Sequence, residues 1–253
     1  MPDSRDLSVV FDLDGTLLET QEIIPQSLRE FGAARDLDFS GLTWLGCGLA
    51  EVVDEIFRNT GRRFAVEDLR AYMHPRQKSL MEEAAADDRA CPPGLSQLVD
   101  GLFKKRVPFG VATLSPRKRA LALLGAAGLG DTFPDEVLVC QGDVEFPKPA
   151  PDALHLAAWE ARTLKAWAAG GPLPERVDPG AAETMRAVNA AAVMVGDSQE
   201  DMAAARAAGM FAVGRVHSVN DEEGLRAAGA HLVVEDYRQL TVERLMELVE
   251  KGE

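Results

Sequence analysis

The chain has 253 residues, 46% of them apolar and 27% charged, which is enough to bury a core and argues against disorder. Asp plus Glu outnumber Lys plus Arg by 41 to 27, for a net charge of −14, so the long-range field repels nucleic acid and anionic membranes. Cys47, Cys91 and Cys140 are few and far apart, which speaks against a zinc site or a disulfide framework and fits a reducing cytosol; no signal peptide or bilayer-spanning stretch is expected, so the protein is expected in the cytoplasm.

In chain order, residues 8–13 (Ser-Val-Val-Phe-Asp-Leu) read as a buried strand closed by Asp-Gly. Helical spacing follows over 20–31 (Ile23, Ile24, Leu28, Phe31), 49–58 (Leu49, Val52, Val53, Ile56, Phe57) and 67–86, the last as one helix or two. No strand pattern interrupts this block, and Cys91-Pro92-Pro93-Gly94 ends it. Helix and strand then alternate: helix 95–105, strand 107–113, helix 116–127, strand 136–140, helix 152–168, strand 192–196, helix 199–208, and short strands 211–215 and 231–234. Between them, 169–180 reads as a Pro- and Gly-rich loop inside a helix–loop–helix at about 159–190. Such alternation implies a parallel sheet with helices on both faces: a doubly wound, Rossmann-like α/β fold split by an all-helical insert. The expected division is 1–18 and 92–253 for the discontinuous core, and 19–91 for the insert.

The chemistry-bearing residues sit at the strand ends, where open α/β sheets bind ligands. Asp12 and Asp14 follow the first strand, and two positions apart they can aim the same way. Gly15 permits a sharp turn beside a ligand. A solvated acidic turn would look the same. Gly196-Asp197-Ser198-Gln199-Glu200-Asp201 closes a second strand, and an ordinary capped helix start would share that pattern. Four carboxylates gathered at one sheet end, however, call for a hard cation, and oxygen-only donors indicate Mg²⁺. Thr113 ends a third strand, where it can hold a phosphate oxygen or simply cap the helix. Lys148, between two prolines, can neutralise a phosphate or stand as a loop lysine.

In this order the set resembles the haloacid dehalogenase superfamily of phosphohydrolases. Asp12-Leu-Asp14-Gly15-Thr16-Leu17 is its first motif, Thr113 the second, Lys148 the third and Gly196-Asp197-Ser198-x-x-Asp201 the fourth. The resemblance covers essentially the whole chain. It is similar to the phosphoglycolate phosphatase-like branch, whose helical cap follows the first motif, where 20–90 lies here.

The resemblance implies an Mg²⁺-dependent phosphatase acting on a small phosphorylated metabolite, as a monomer or homodimer. Asp12 would be the nucleophile and form an aspartyl-phosphate. Asp14 would be the general acid and base. Thr113, Leu114, Lys148, Gly15 and Thr16 would bind the phosphoryl group. Asp12, Asp14 through its backbone carbonyl, and Asp197 would bind Mg²⁺, with Asp201 and Ser198 in support.

Two positions depart from the branch: Leu114 stands where Asn is common, and Glu19 where Asp is common. A sugar phosphomutase of the same fold would need a basic cap residue such as Arg62, Arg63, Arg76 or Lys78, each of which also reads as solvated surface. A dehalogenase would lack the acid at Asp14. A phospho-acceptor signalling domain would be about half as long and have no helical insert, and a non-catalytic phosphate-binding module would have lost the nucleophile or the acid. Gly46, Cys47 and Gly48 form a candidate substrate-facing loop of the cap.

Overall fold

The computed structural model describes residues 7–39, 42, 49–168, 191–218 and 220–251. Six strands form one parallel sheet: β1 (Ser8–Phe11), β2 (Phe109–Ala112), β3 (Leu138–Val139), β4 (Ala192–Gly196), β5 (Phe211–Arg215) and β6 (Leu232–Val234). Their order is β3-β2-β1-β4-β5-β6, with Val10 of β1 in register with Gly110 and Met194. β1 therefore lies at the centre, where the winding reverses, and a crevice opens beyond the strand ends at such a point. The strands are short runs of Val, Ala, Phe and Met because both faces are covered. Along β1, Val9 and Phe11 enter one apolar cluster and Val10 the other.

Helices α4 (Leu95–Lys104), α5 (Arg117–Ala126) and α9 (Val242–Lys251) bring Leu98, Leu102, Leu123 and Leu245 to the face of Phe11. Helices α6 (Asp152–Ala168), α7 (Gln199–Ala208) and α8 (Glu222–Ala227) cover the other face, largely with alanines that let helix and sheet approach closely. This is the expected doubly wound α/β fold.

Between β1 and α4 run α1 (Ile23–Ala33), α2 (Leu49–Thr60) and α3 (Val66–Ala86), with a cluster of their own built from Leu28, Phe31, Phe39, Val53, Ile56, Leu69 and Met73. Where 67–86 allowed one helix or two, α3 is continuous through Pro75. The Pro75 carbonyl accepts a hydrogen bond from Ser79 Oγ. The same helix joins both bodies: Leu69 and Met73 lie in the small cluster, and Leu80, Met81 and Ala84 in the main one. The two connections between the bodies touch where Glu19 N donates to Ala90 O at 2.9 Å.

Two helices absent from the expectation, α8 and α9, continue the alternation past residue 215. Residues 169–190 and Gly46, Cys47 and Gly48 lie outside the described residues. Among the described residues, no helix is long and apolar enough to cross a membrane.

Candidate active site

Asp12 leaves the end of β1, and its backbone N–H donates to Val195 O, tying it to β4 at 2.9 Å. Lys148, itself buried, reaches across with Nζ 2.6 Å from Asp12 Oδ1, 2.6 Å from Asp201 Oδ1 and 3.0 Å from the Ala112 carbonyl. The ammonium thus spends its three protons on the ends of β1, β2 and α7. Burial alone would lower the Lys148 pKa, but Asp12 and Asp201 outweigh it and hold the group charged. Burial, with Asp201 and Asp197 adding repulsion, pushes Asp12 well above the usual carboxylate range despite Lys148.

Asp197 follows β4. It accepts from Thr16 Oγ1 at 3.1 Å and pairs with His217 Nε2 at 2.6 Å. Burial and Asp201 raise its pKa, with His217 and Thr16 opposing. Asp201 is already occupied: Oδ1 receives Lys148, and Oδ2 receives Ser198 N and Oγ, while Ser198 Oγ accepts from Asp201 N. This reciprocal cap starts α7 and fixes the carboxylate. The turn between Asp14 and Leu18 depends on Gly15, whose φ is +79°; a Cβ there would lie 2.3 Å from Asp197 Oδ2.

One oxygen each from Asp12, Asp197 and Asp201 lies within 4.8 Å of the other two. All the donors are hard oxygens, two of the carboxylates have raised pKa values, and the glycine turn lets the backbone approach closely. The residues therefore fit a small divalent cation.

Thr113 is buried at the end of β2, and its Oγ1 accepts from Ser115 N at 3.1 Å within the turn; it does not cap α5, whose N-cap is Pro116 with no side-chain cap. Leu114 is exposed. Asp14 is placed differently from the other carboxylates. Arg119, in the first turn of α5, grips it with two N–H groups: Nη1 is 2.7 Å from Oδ2 and Nη2 is 2.9 Å from Oδ1. Ser115 Oγ donates to Oδ2 at 2.6 Å. Burial would raise the Asp14 pKa, but the charge and hydrogen bonds of Arg119, with Ser115 and Thr20, hold it below the ordinary value.

The set of motif residues omits Arg119, Gln77, His217 and Arg215. Arg119 Nε donates to Gln77 Oε1 of α3 at 2.8 Å, and Gln77 Nε2 to Ser27 Oγ of α1 at 3.2 Å, so a buried polar chain runs from Asp14 into the helical insert. Arg215 Nη1 donates to Gly15 O at 2.7 Å and pairs with Glu19, bracing the turn that follows Asp14. One signal was available for Arg119: Arg117, Lys118 and Arg119 open a helix whose N-terminal dipole disfavours cations. The four basic residues weighed for a mutase are engaged elsewhere. Arg76 pairs with Glu30 and Glu83, Lys78 with Glu82, Arg62 donates to Arg35 O, and Arg63 covers the Phe57 ring.

His74 lies one helical turn before Gln77 on α3. Burial and the cations Arg119, Arg70 and Lys118 push it down to about 4, with Asp14 opposing. The unfolded chain therefore takes up a proton near pH 6.5 that the fold refuses until about pH 4, so stability falls as pH falls through that window. Thermal melting between pH 7 and 4 is expected to show wild type losing about 1–2 kcal/mol more than His74→Gln, a value discounted for solvent screening. Parallel curves would exclude His74 as the source.

A family model described as haloacid dehalogenase-like hydrolase matches residues 8–209. A phosphorylated carbohydrates phosphatase of Thermotoga maritima is 24% identical over 239 residues, covering 93% of this chain and 97% of that protein. A phosphoglycolate phosphatase of Photobacterium profundum is 26% identical over 243 residues, covering 92% and 93%. In fold, the chain is similar to a β-phosphoglucomutase from Clostridium difficile, with a TM-score of 0.69 at 20% identity over 97% of each chain.

Proposed function

Since this chain belongs to the haloacid dehalogenase-like hydrolase family, we propose that it is an Mg²⁺-dependent phosphatase that hydrolyses a small phosphomonoester through a covalent intermediate on Asp12. The observation that carries this reading is the Lys148 ammonium, seated 2.6 Å from both Asp12 and Asp201 at the centre of the sheet's carboxyl edge. A fixed cation beside a buried carboxylate orients the nucleophile and offers charge to an incoming phosphoryl group. Phosphatase-named relatives along nearly the whole chain support the same reaction class.

The Asp12 carboxylate attacks phosphorus and the ester P–O bond breaks. Asp14, released from its resting ion pair and having taken a proton from water, gives that proton to the leaving oxygen. Asp14, now a carboxylate, removes a proton from water as that water attacks phosphorus, and the P–O bond to Asp12 breaks to give inorganic phosphate. Thr113 and the backbone from Leu114 onward, at the start of α5, hold phosphoryl oxygens with Lys148. Asp12, Asp197 and the Asp14 backbone carbonyl would hold Mg²⁺, which supplies positive charge against the phosphoryl oxygens. Asp201 and Ser198 support the set, and Gly15 with Thr16 shapes the turn. Residues 19–91 serve as a cap, with 1–18 and 92–253 as the catalytic core.

The four cap cations weighed for a mutase are held by other partners and lend that reading no support. Purified protein should release phosphate from a generic aryl phosphate with Mg²⁺ and lose that activity, by at least about 100-fold, in excess chelator. Undiminished turnover in chelator would overturn the metal assignment, and no turnover with Mg²⁺ would overturn the phosphatase reading.

A further inference from the structure

The reaction just proposed needs Asp14 free, yet both of its oxygens are taken. The forked contact from Arg119 is the geometry that a guanidinium uses for any carboxylate or phosphate. It is held firmly, since Nε is fixed by Gln77 and Nη1 also meets Ser115. The Asp14 side chain is 26% exposed and that of Arg119 is 8% exposed, so the pair meets solvent mainly through the carboxylate. Around it, Arg70 on α3 and Lys118 on α5 are exposed cations close enough to act on His74. This cationic group spans the seam between the insert and the core, in a chain whose net charge is −14. In such a field, an anionic substrate needs a local positive focus.

We propose that Arg119 is the receptor for a second anionic group on the substrate, a carboxylate or a second phosphate, and that this group takes Asp14's place on the guanidinium. The inference rests on the phosphatase reading and names its substrate class: phosphomonoesters whose leaving group carries its own negative charge. Binding then does two things at once. The second anion satisfies the fork, and the displaced Asp14, no longer ion-paired, takes a proton from water and turns to the leaving oxygen. A neutral leaving group makes no such exchange and leaves Asp14 on Arg119. Gln77 and Ser27 transmit the arrangement to α3 and α1, so the receptor stays aligned only while the helical insert is docked. Arg70 and Lys118 attract the anion from solvent.

Three two-carbon esters test this: phosphoglycolate, ethylene glycol bisphosphate and hydroxyethyl phosphate. Wild type should favour at least one of the two doubly anionic esters over the neutral one by about 100-fold in kcat/KM, the size expected for a desolvated forked ion pair. The arm that wins identifies the anion as carboxylate or phosphate. In Arg119→Gln that preference should shrink to within about threefold, and in Arg119→Lys, which keeps charge but not the fork, to about tenfold. An equal loss on charged and neutral esters, or no preference in wild type, overturns the proposal. Calorimetric binding of free glycolate and of inorganic phosphate to wild type and to Arg119→Gln gives a readout independent of turnover. At least one should bind about tenfold more weakly to the variant, and equal affinities for both would refute the receptor even if the chain hydrolyses nothing. Should Arg119→Gln fail to fold, Arg119→Lys and the wild-type ester ratio decide the matter.

Discussion

Asp12→Asn should abolish phosphate release, by at least about 10⁴-fold, while the protein stays folded. An amide is nearly the shape of the carboxylate and still offers Oδ1 to Lys148, but it cannot attack phosphorus at a useful rate. The buried charge at position 12 is not one that the fold favours: burial, Asp201 and Asp197 all oppose it, and only Lys148 supports it. Exchanging it for an amide removes the repulsion and weakens the attraction together, so stability should move by no more than about 1–2 kcal/mol in either direction. Turnover, acid-stable phosphate trapping on the protein and a melting curve would be measured together. Normal turnover in the variant would remove Asp12 as nucleophile, whatever the melting curve shows.

Lys148→Met should fail in both respects. The ammonium is 3% exposed and touches two carboxylates that are themselves 9% and 1% exposed. Its removal leaves Asp12 and Asp201 facing each other in a dry site, and breaking a buried pair from one side costs about 3–5 kcal/mol. Activity should fall by at least about 10³-fold, because the nucleophile loses its orientation and the phosphoryl group loses a fixed cation. A second substitution separates the two effects. Asp201→Asn in the Lys148→Met background removes one of the orphaned charges and keeps an acceptor for Ser198, so denaturant unfolding should recover part of the lost stability while turnover stays lost. A double variant no more stable than the single one would mean that the lysine acts through packing, not charge.

Much of this site is legible in the amino-acid sequence, for a local reason. Asp12, Thr113 and Asp197 each close a short apolar run, as Asp12 closes Val-Val-Phe and Asp197 closes Val-Met-Val-Gly, and a buried parallel strand must end in something polar where it meets the ligand; Lys148 instead lies in the loop between β3 and α6. Arg119 was not legible in the same way. Its partners, Asp14 and Gln77, lie far off in the chain, and nothing in Pro-Arg-Lys-Arg says which of three cations turns inward. His217 and Arg215 were hidden likewise, since only the strand order brings the end of β5 beside Asp197 and Glu19. The α9 helix is another matter, because Val242, Leu245 and Val249 mark its buried face at helical spacing in plain view. Proline inside a helix usually breaks it, yet α3 runs on through Pro75. Here Pro75 lies on an exposed face, and the same rod is anchored at both ends by Met73 and by Leu80 and Met81.

The central place of β1 also has a bearing on synthesis. The strand that leads into Asp12 emerges early, but its two neighbours, β2 and β4, come much later, the second only after α6 and the stretch beyond it. Growing chains fold in the order in which closed sets of contacts become available. The insert completes its cluster from contiguous residues between Leu28 and Met73, so it can form on the ribosome while β1 still waits unpaired. A nascent chain stopped before Ala192 would carry Asp12, Thr113 and Lys148 with no β4 to close the sheet around them. The cluster around Asp12 is thus completed late in translation, and the apolar edge of β1 is the surface that must be kept from other chains until then.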